Sequence, residues 1–253
     1  MNTNGTVQSV DRALRIIDLL AEAPEGMGVT ELANRLNVSK STVHRLLASL
    51  LQKGYVKQGN ERDVYTLGFT FMEMGERVAE SIDVRKAAGD IIHDLAKATA
   101  STVHLVQLEG AQVVYIDKVE TYARLRLFSR VGRKAPLYCT GVGKALLAFQ
   151  PPHVQDKLLG EQEMIRHTPH TITSKEAMMP ELDKIAQEGV AYDREEHELG
   201  VTCVAAPIFD FHRRAVAAVS VTMPHMNAET IDWEKTVLQV QRAAVSISRE
   251  LGH

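Results

Sequence analysis

The chain has 253 residues, with 45% hydrophobic, 24% charged and 5% aromatic side chains and a formal net charge of −3. This ordinary globular composition excludes disordered, collagen-like and coiled-coil classes, and the length predicts one large or two small domains. Apolar runs such as residues 215–219 fall far short of the roughly 20 residues that a membrane helix needs, so no membrane partner is expected.

The N-terminus lacks the basic stretch, apolar stretch and small-residue cleavage site of a secretory signal, which favours a cytoplasmic protein. The two cysteines, Cys139 and Cys203, lie far apart in sequence. They form neither a disulfide framework nor a CxxC pair, which is typical of a reducing compartment, and they are too few for a zinc site held by cysteines.

Three helices are predicted near the N-terminus, because apolar residues there recur at steps of three and four. The first covers residues 9–22 with Ser9 as its N-cap, the second is capped by Thr30, and the third by Ser39. The tight break between the second and third helices is typical of a helix-turn-helix.

A hairpin, or wing, is predicted directly after the third helix, with strands at 55–58 and 64–67 around a polar turn. From Arg35 to Arg62 there are six basic residues and a single acid, Glu61, so the local net charge is +5. The negative total therefore hides a basic segment that attracts phosphates.

The outer face of the third helix carries hydroxyls, an imidazole and cations at its N-terminal end. These groups can reach base edges and phosphates in the major groove, and the helix dipole favours phosphate at that end. Arg62, at the tip of the wing, can reach a phosphate or the minor groove. A three-helix module that binds protein is the alternative. The candidate DNA contacts on the helix are Lys40, Ser41, Thr42, His44 and Arg45.

The run TELANRLNVSKSTVHRLLASLLQKGYV, followed by YTLG, closely resembles the winged helix of the IclR-type bacterial transcription regulators. The resemblance implies that an oligomer binds a palindromic operator in double-stranded DNA in a sequence-specific manner. It carries the DNA contacts over to Ser39, Lys40, Ser41, Thr42, His44 and Arg45.

A linker helix is predicted over residues 68–82, with an apolar stripe at Phe71, Met74, Val78 and Ile82. The stripe packs either on the chain's own domains or on a second copy. We favour the second copy, because a winged helix that reads a palindrome needs two copies, and the resemblance implies the same.

The remainder of the chain predicts an α+β domain with a six-stranded antiparallel sheet flanked by helices. The strands are expected at 102–108, 112–119, 125–131, 190–194, 202–208 and 215–222. The helices are expected at 84–100, 141–149, 153–160, 174–188 and from about 228 to 251. The resemblance implies a GAF- or profilin-like effector domain. The predicted domains are 1–67 (winged helix), 68–82 (linker helix) and 83–253 (effector domain).

Gly141 and Gly143 lie where a loop enters a predicted helix, and the backbone N–H groups there can hold a carboxylate. The alternative is that these glycines only permit close packing. The string GVGK is not a P-loop, because Tyr138 replaces the first glycine and Ala145 the magnesium-binding Ser or Thr. ATP is therefore rejected, and no cofactor is predicted.

A carboxylate, an imidazole and a thiol stand close in sequence at Asp193, His197 and Cys203. No second histidine completes a metal site, so no metal is predicted. A hydrolase that uses Cys203 is an alternative, but no oxyanion or nucleophile motif accompanies the thiol. Further along, strand alternation places Ser220 and Thr222 on one face, where they either bind a polar ligand or face solvent.

The strings RVGRKAPLYCTGVGKALLA and YDREEHELGVTCVAAPIFD resemble the effector-domain signatures of the same family. The resemblance implies backbone contacts to an effector carboxylate from Gly141 and Val142. It implies side-chain contacts from Asp193, Cys203, Ser220 and Thr222, and an apolar wall of Leu127, Ala135 and Val201.

The strings LRLFSRVGRKAPLY and TPHTITSKEAMMPELDKI are similar to family members that regulate sugar-acid catabolism and respond to keto-deoxy-gluconate or aldonates. Arg126 and His104 are possible further pocket residues, although a structural or solvent-facing role is expected for each. The sequence therefore predicts a repressor of a sugar-acid or carbohydrate operon, a dimer or tetramer, that is controlled by a small organic acid effector. The alternatives are the hydrolase and a DNA-binding protein without a ligand.

Overall fold

The computed structural model describes residues 7–59, 64–80, 83–120, 129–227 and 231–253. Contacts divide the chain into two compact units, Met1–Ser81 and Ile82–His253. Throughout the described ranges, every helix is too short or too polar to cross a lipid bilayer.

The first unit is a winged helix-turn-helix, which confirms the predicted fold of this part. Its helices are α1 (Gln8–Glu22), α2 (Val29–Leu36), α3 (Lys40–Gln52) and α4 (Thr70–Glu80). Its strands are β1 (Met27–Gly28), β2 (Val56–Gln58) and β3 (Val64–Leu67), in the antiparallel order β1-β3-β2. The core of this unit is centred on Ile16, Leu32, Val43 and Leu47, one or more from each of the first three helices.

Of the three predicted N-caps, only Ser39 caps a helix with its side chain. The first helix begins one residue before Ser9, and Thr30 lies one residue inside the second, so both predictions were wrong. Neither helix has a side-chain cap, and an extended backbone residue precedes each of them.

The predicted apolar stripe of the linker helix is divided in the structure. The Phe71 ring packs against Tyr55 at 5.4 Å between centroids, whereas Met74 is exposed. Phe69 and Met72, which were not part of the predicted stripe, are exposed as well. Ile82 lies outside the described residues.

The second unit is an α+β domain in which helices cover both faces of a six-stranded antiparallel sheet, as predicted. Its strands are β4 (Thr102–Glu109), β5 (Gln112–Val119), β6 (Lys134–Pro136), β7 (Ala191–Arg194), β8 (Val201–Phe209) and β9 (Ala215–Pro224). Their order is β6-β5-β4-β9-β8-β7. Its helices are α5 (Asp83–Thr99), α6 (Gly141–Ala148), α7 (Pro152–Gly160), α8 (Lys175–Glu188) and α9 (Trp233–Glu250), with a 3₁₀ turn at His225–Asn227. One apolar core joins α5 and α9 to the sheet, and another joins α6 and α8 to it.

The strand predicted at 125–131 is covered by the described residues only from 129 onwards. Residues 129–131 are not in a strand, the rest of that segment lies outside the described residues, and β6 pairs with β5 instead. β6 is an edge strand of three residues that contains Lys134 and Pro136. Short edges with lysine and proline are common in sheets, and they carry too little alternation to be recognised from sequence.

Candidate functional site

The outer face of α3 presents the side chains that the sequence selected. Lys40, Ser41, His44 and Arg45 are exposed and Thr42 is half-buried, while Val43, Leu47 and Leu50 of the opposite face are buried. This separation follows from the helical repeat, because the apolar stripe alone contacts α1 and α2. The helix therefore offers a polar, basic surface to solvent. Arg62, the predicted contact on the wing, lies outside the described residues.

Ser39 organises the beginning of this helix. Its Oγ accepts a hydrogen bond from the Thr42 N–H at 3.3 Å and lies 2.9 Å from each of the hydroxyl oxygens of Ser41 and Thr42. A side-chain oxygen at this position satisfies a backbone donor that would otherwise have no partner within the helix. The three hydroxyls therefore form one cluster at the N-terminus of α3.

A cavity of about 110 Å³ lies in the second unit, between the sheet and the N-terminus of α6. All the described members of the predicted effector set line it, whereas Leu127 and Arg126 lie outside the described residues. The predicted members are Ala135, Gly141, Val142, Asp193, Val201, Cys203, Ser220 and Thr222.

Strand register brings the polar members of this set together. Asp193 of β7 pairs directly with Cys203 of β8, and Cys203 pairs directly with Thr222 of β9. Side chains at paired positions share a face of the sheet, so these three form a row across adjacent strands. Ser220, two residues before Thr222, lies on the same face.

The N-terminus of α6 contributes backbone groups to the cavity. Gly143 N–H is already occupied, because it donates to the Oγ1 of the N-cap Thr140 at 3.1 Å. The N–H of Gly141 approaches the sulfur of Cys203. The N–H of Val142 has no acceptor within the described part of the chain, so it is free to donate to an anion.

Close packing is a second reason for both glycines. A Cβ on Gly143 would lie 2.5 Å from the Leu137 carbonyl oxygen, and one on Gly141 would lie 2.7 Å from the Cys203 sulfur. The packing interpretation and the ligand interpretation therefore both apply to this turn. Any larger residue at Gly141 would also take space from the cavity.

Burial sets the charge of the acid and the thiol in this cavity. Burial raises the pKa of Asp193 to about 7, and the nearby Glu196 adds to the rise, although its N–H donates to Asp193 Oδ1 at 2.7 Å and opposes it. Burial also raises the pKa of the Cys203 thiol well above its ordinary value, so the thiol is neutral. A nucleophilic cysteine needs the opposite shift, which argues against the hydrolase.

The sequence-based reasoning missed several lining residues, and the clearest is Tyr115. The pairing of β4 with β5 shifts between Leu105 and Val106, so that Tyr115 lies opposite Val106. Such a bulge inserts one residue and changes which side chains face the cavity. Simple alternation could not have located it. The other unpredicted lining residues are Ser129, Arg133, Lys134, Thr140 and Glu198.

His104 also lines the cavity rather than facing solvent. It is 4% exposed, with its Nδ1 3.1 Å from Thr222 Oγ1 and its Nε2 2.8 Å from Ser129 Oγ. His197, which the sequence raised as a metal ligand, lines the cavity as well. In the described ranges, no cluster of three or more His, Cys, Asp or Glu residues is arranged to hold a metal.

A buried ion pair lies next to the cavity. Lys144 of α6 is completely buried and donates to Glu196 Oε1 at 2.6 Å and to Glu181 Oε1 at 3.1 Å. The Oε2 of Glu196 has no hydrogen-bond partner in the described part of the chain. These contacts join α6, which begins at Gly141, to α8 and to the β7–β8 connection, which directly follows the strand that carries Asp193.

Comparisons with known families cover almost the whole chain. Residues 9–59 match the IclR helix-turn-helix domain, and residues 76–249 match the domain described as bacterial transcriptional regulator IclR C-terminal.

Individual relatives agree with these matches. The HTH-type transcriptional regulator KdgR of Escherichia coli K12 is 36% identical over 248 residues, covering 98% of this chain and 94% of the relative. XynR of the same organism is 36% identical over 247 residues, covering 98% of each chain. The crystal structure of the Thermotoga maritima IclR has a TM-score of 0.87 at 35% identity, over 97% of this chain and 99% of that one.

Proposed function

The chain belongs to the IclR family of bacterial transcriptional regulators, and on that premise we propose that it represses a carbohydrate or sugar-acid catabolic operon until a small organic acid binds it. Its relatives are regulators rather than enzymes. In this proposal residues 1–67 read DNA in the cytoplasm, residues 68–82 pair two copies, and residues 83–253 bind the effector.

The exposed face of α3 supports the proposal that this helix enters the major groove. Its cations and hydroxyls combine phosphate contacts, which position the protein, with groups that read base edges. Two copies would place their recognition helices in successive major grooves, about 34 Å apart, on a palindromic operator. The basic stretch around α3 attracts DNA phosphates, which the negative overall charge of the chain does not.

The observation that carries the effector proposal is the convergence of polar groups on one cavity. It is reached by a backbone N–H group at the N-terminus of α6 that can donate to an anion, by the hydroxyls of Ser220 and Thr222, and by the acid of Asp193. A carboxylate with several hydroxyls can satisfy these groups together, whereas an aromatic acid would leave buried hydroxyls without partners. A sugar acid is therefore the effector class that we propose.

Release from DNA requires that the effector bind two arrangements of the protein with different affinity. A coupling free energy of about 1–3 kcal/mol between the two sites is typical and changes operator affinity about 5- to 150-fold. The elements that line the cavity also carry the Lys144–Glu196 ion pair. An effector bound in the cavity is therefore expected to change the packing of α6 against α8.

A gel-shift titration tests the proposal. Operator DNA is titrated with the protein alone and with gluconate, 2-dehydro-3-deoxygluconate or 4-hydroxybenzoate, and we expect the sugar acids to weaken operator binding. Replacement of Ser220 by alanine should reduce this response without reducing DNA affinity, and Ser246→Ala on α9 is the control. If no acid changes operator binding and none raises the melting temperature, the protein binds DNA without a ligand.

The recognition helix is tested by Arg45→Ala. Loss of a phosphate or base contact should weaken operator binding by about 1–3 kcal/mol, which is about 5- to 150-fold. Arg242→Ala, an exposed arginine on α9, is the matched control and should leave binding unchanged. Equal effects of the two variants would contradict the assignment of α3.

A further inference from the structure

His104 occupies the centre of the sheet face that lines the cavity. It lies on β4, directly opposite Ser220 of β9 in the strand register, and only 4% of it is exposed. The edge of its ring also packs against the Tyr115 ring at 5.2 Å between centroids. The imidazole is thus held in place by its neighbours on the sheet.

Both ring nitrogens of His104 are engaged by hydroxyl groups. Nδ1 lies 3.1 Å from Thr222 Oγ1, and Nε2 lies 2.8 Å from Ser129 Oγ. Thr222 and Ser129 also line the cavity, so the same two hydroxyls face any ligand bound there. Each of these two hydroxyls therefore contacts both His104 and the cavity.

The imidazole is neutral in this setting. Burial lowers the pKa of His104 to about 3, and the positive charge of Lys118 lowers it further in the same direction. In the described part of the chain, its ring hydrogen-bonds only with the two hydroxyls and with no carboxylate. A neutral imidazole has one N–H group and one bare nitrogen.

This chemistry makes the two hydroxyls different from each other. One hydroxyl must donate its proton to the bare nitrogen, so it offers only lone pairs to the cavity. The other accepts from the N–H group, so its own proton remains available to a ligand. An apolar group placed against that pair would leave a buried donor without a partner, which is costly.

We propose that His104 is a positioning residue for effector selectivity: it fixes Ser129 and Thr222 as one donor and one acceptor, and so selects hydroxy or oxo carboxylic acids over acids with an apolar chain. The proposal rests on the proposed function of the cavity. It assigns to His104 a role in selectivity rather than in holding the carboxylate, which is the proposed role of the Val142 N–H.

Isothermal titration of the full-length protein with gluconate and hexanoate tests this selectivity. The two acids have the same number of carbons, and hexanoate has no hydroxyls. The wild-type protein should bind gluconate at least about fivefold more tightly, the ratio given by one net hydrogen bond of about 1 kcal/mol. In His104→Phe the hydroxyls can rotate freely, and the ratio should fall below about threefold through weaker gluconate binding alone.

Two further variants separate selectivity from folding. His104→Gln keeps a donor and an acceptor and should restore part of the ratio, while His93→Gln, an exposed histidine of α5, should leave it unchanged. Ser129→Ala removes the Nε2 partner without changing the core, and it replaces His104→Phe as the test if that variant does not fold. It should also lower the ratio.

The possible failures are distinct. An unchanged ratio in folded His104→Phe and in Ser129→Ala overturns the role of His104 but leaves the cavity as an acid site. If wild-type protein binds neither gluconate nor hexanoate, the proposed sugar-acid effector fails, and the selectivity proposal fails with it. If wild-type protein binds the two acids equally, the selectivity proposal alone fails.

Discussion

Asp193 shows how strongly the environment of one side chain determines its chemistry. It is 5% exposed and close to Glu196, so its carboxyl retains a proton at a pH where an exposed aspartate would be ionised. A neutral carboxyl can donate a hydrogen bond to an anionic ligand, whereas an ionised one repels it. The protonated acid therefore adds a hydrogen-bond donor for a ligand carboxylate to the one that the Val142 N–H offers.

The raised pKa of Asp193 predicts that effector binding weakens with pH. As the pH rises from 6 to 8, binding an acid increasingly requires uptake of a proton, and the dissociation constant should rise by up to about tenfold per pH unit above 7. Titration calorimetry across this range measures it. Asp193→Asn should show a flat profile, and Asp183→Asn, on an exposed position of α8, should behave like the wild type.

The raised pKa of Asp193 also makes the unfolding free energy depend on pH. Between about pH 4 and pH 7 the folded state holds a proton on Asp193 that the unfolded state has lost, so this residue lowers the unfolding free energy as the pH rises through that window. Asp193→Asn should remove this decline in denaturant unfolding. A decline that is equally steep in the variant would show that Asp193 is not its source.

The buried ion pair predicts a large effect of a single substitution. Lys144→Met leaves the Glu196 carboxylate buried without a cation, and such a loss costs about 3–5 kcal/mol of unfolding free energy. Urea unfolding measures it, and the double variant Lys144→Met with Glu196→Leu should recover most of the loss. Lys184→Met, which breaks an exposed pair with Glu188, should cost no more than about 1 kcal/mol. Similar losses from the two lysine variants would contradict a structural role for Lys144.

Among the elements, the junction between the wing and α4 leaves no space for a side chain at Gly68. Gly68 donates its N–H to the Tyr55 carbonyl at 2.8 Å, and a Cβ on Gly68 would overlap with the Gly54 carbonyl oxygen. No side chain fits there without a backbone shift. The glycine at the end of YTLG is therefore required by packing.

Gly68→Ala should destabilise the first unit by about 1–3 kcal/mol, the usual cost of overpacking. The matched control is Gly75→Ala in α4, where a Cβ meets nothing within 4 Å and alanine should stabilise the helix by up to about 1 kcal/mol. Thermal unfolding followed by circular dichroism measures both. Equal melting temperatures in the two variants would disprove the steric argument.

For the whole molecule, the exposed apolar residues of the first unit bear on the proposed pairing of two copies. Phe69, directly before α4, is 72% exposed, Met72 on α4 is 69% exposed, and Val10 and Leu14 of α1 are exposed as well. Large apolar side chains that are exposed close together, such as Phe69 and Met72, are typical of interfaces between chains. They support the proposed pairing of two copies on a palindrome.

Met72→Glu should therefore separate the copies. A charge at the proposed interface is costly to bury, and two unlinked heads lose the benefit of binding two half-sites at once, which is worth about 10²–10⁴ in affinity. Sedimentation velocity and gel shifts measure the two effects. Arg77→Gln, an exposed position about 140° around the same helix from Met72, should leave both unchanged. A Met72→Glu protein that stays oligomeric would exclude α4 as the interface.

Local patterns alone were enough to predict most helices and strands of this protein, the polar outer face of α3 and the segments that line the cavity. The reason is that helical and strand periodicity, turn residues and the positions of glycine are short-range properties, expressed within a few residues of each other. They were not sufficient for the caps of α1 and α2, which use no polar side chain. Nor did they locate β6, a short edge strand.

Tertiary structure decided the arrangement of the site. The row from Asp193 to Thr222 depends on strand register, Tyr115 depends on a bulge, and His104 meets Thr222 across 118 positions of sequence. Burial, which keeps His104 and the Cys203 thiol neutral and holds a proton on Asp193, exists only after the sheet and α6 have packed. Long-range pairing and desolvation are properties of the folded chain as a whole, so no local pattern records them.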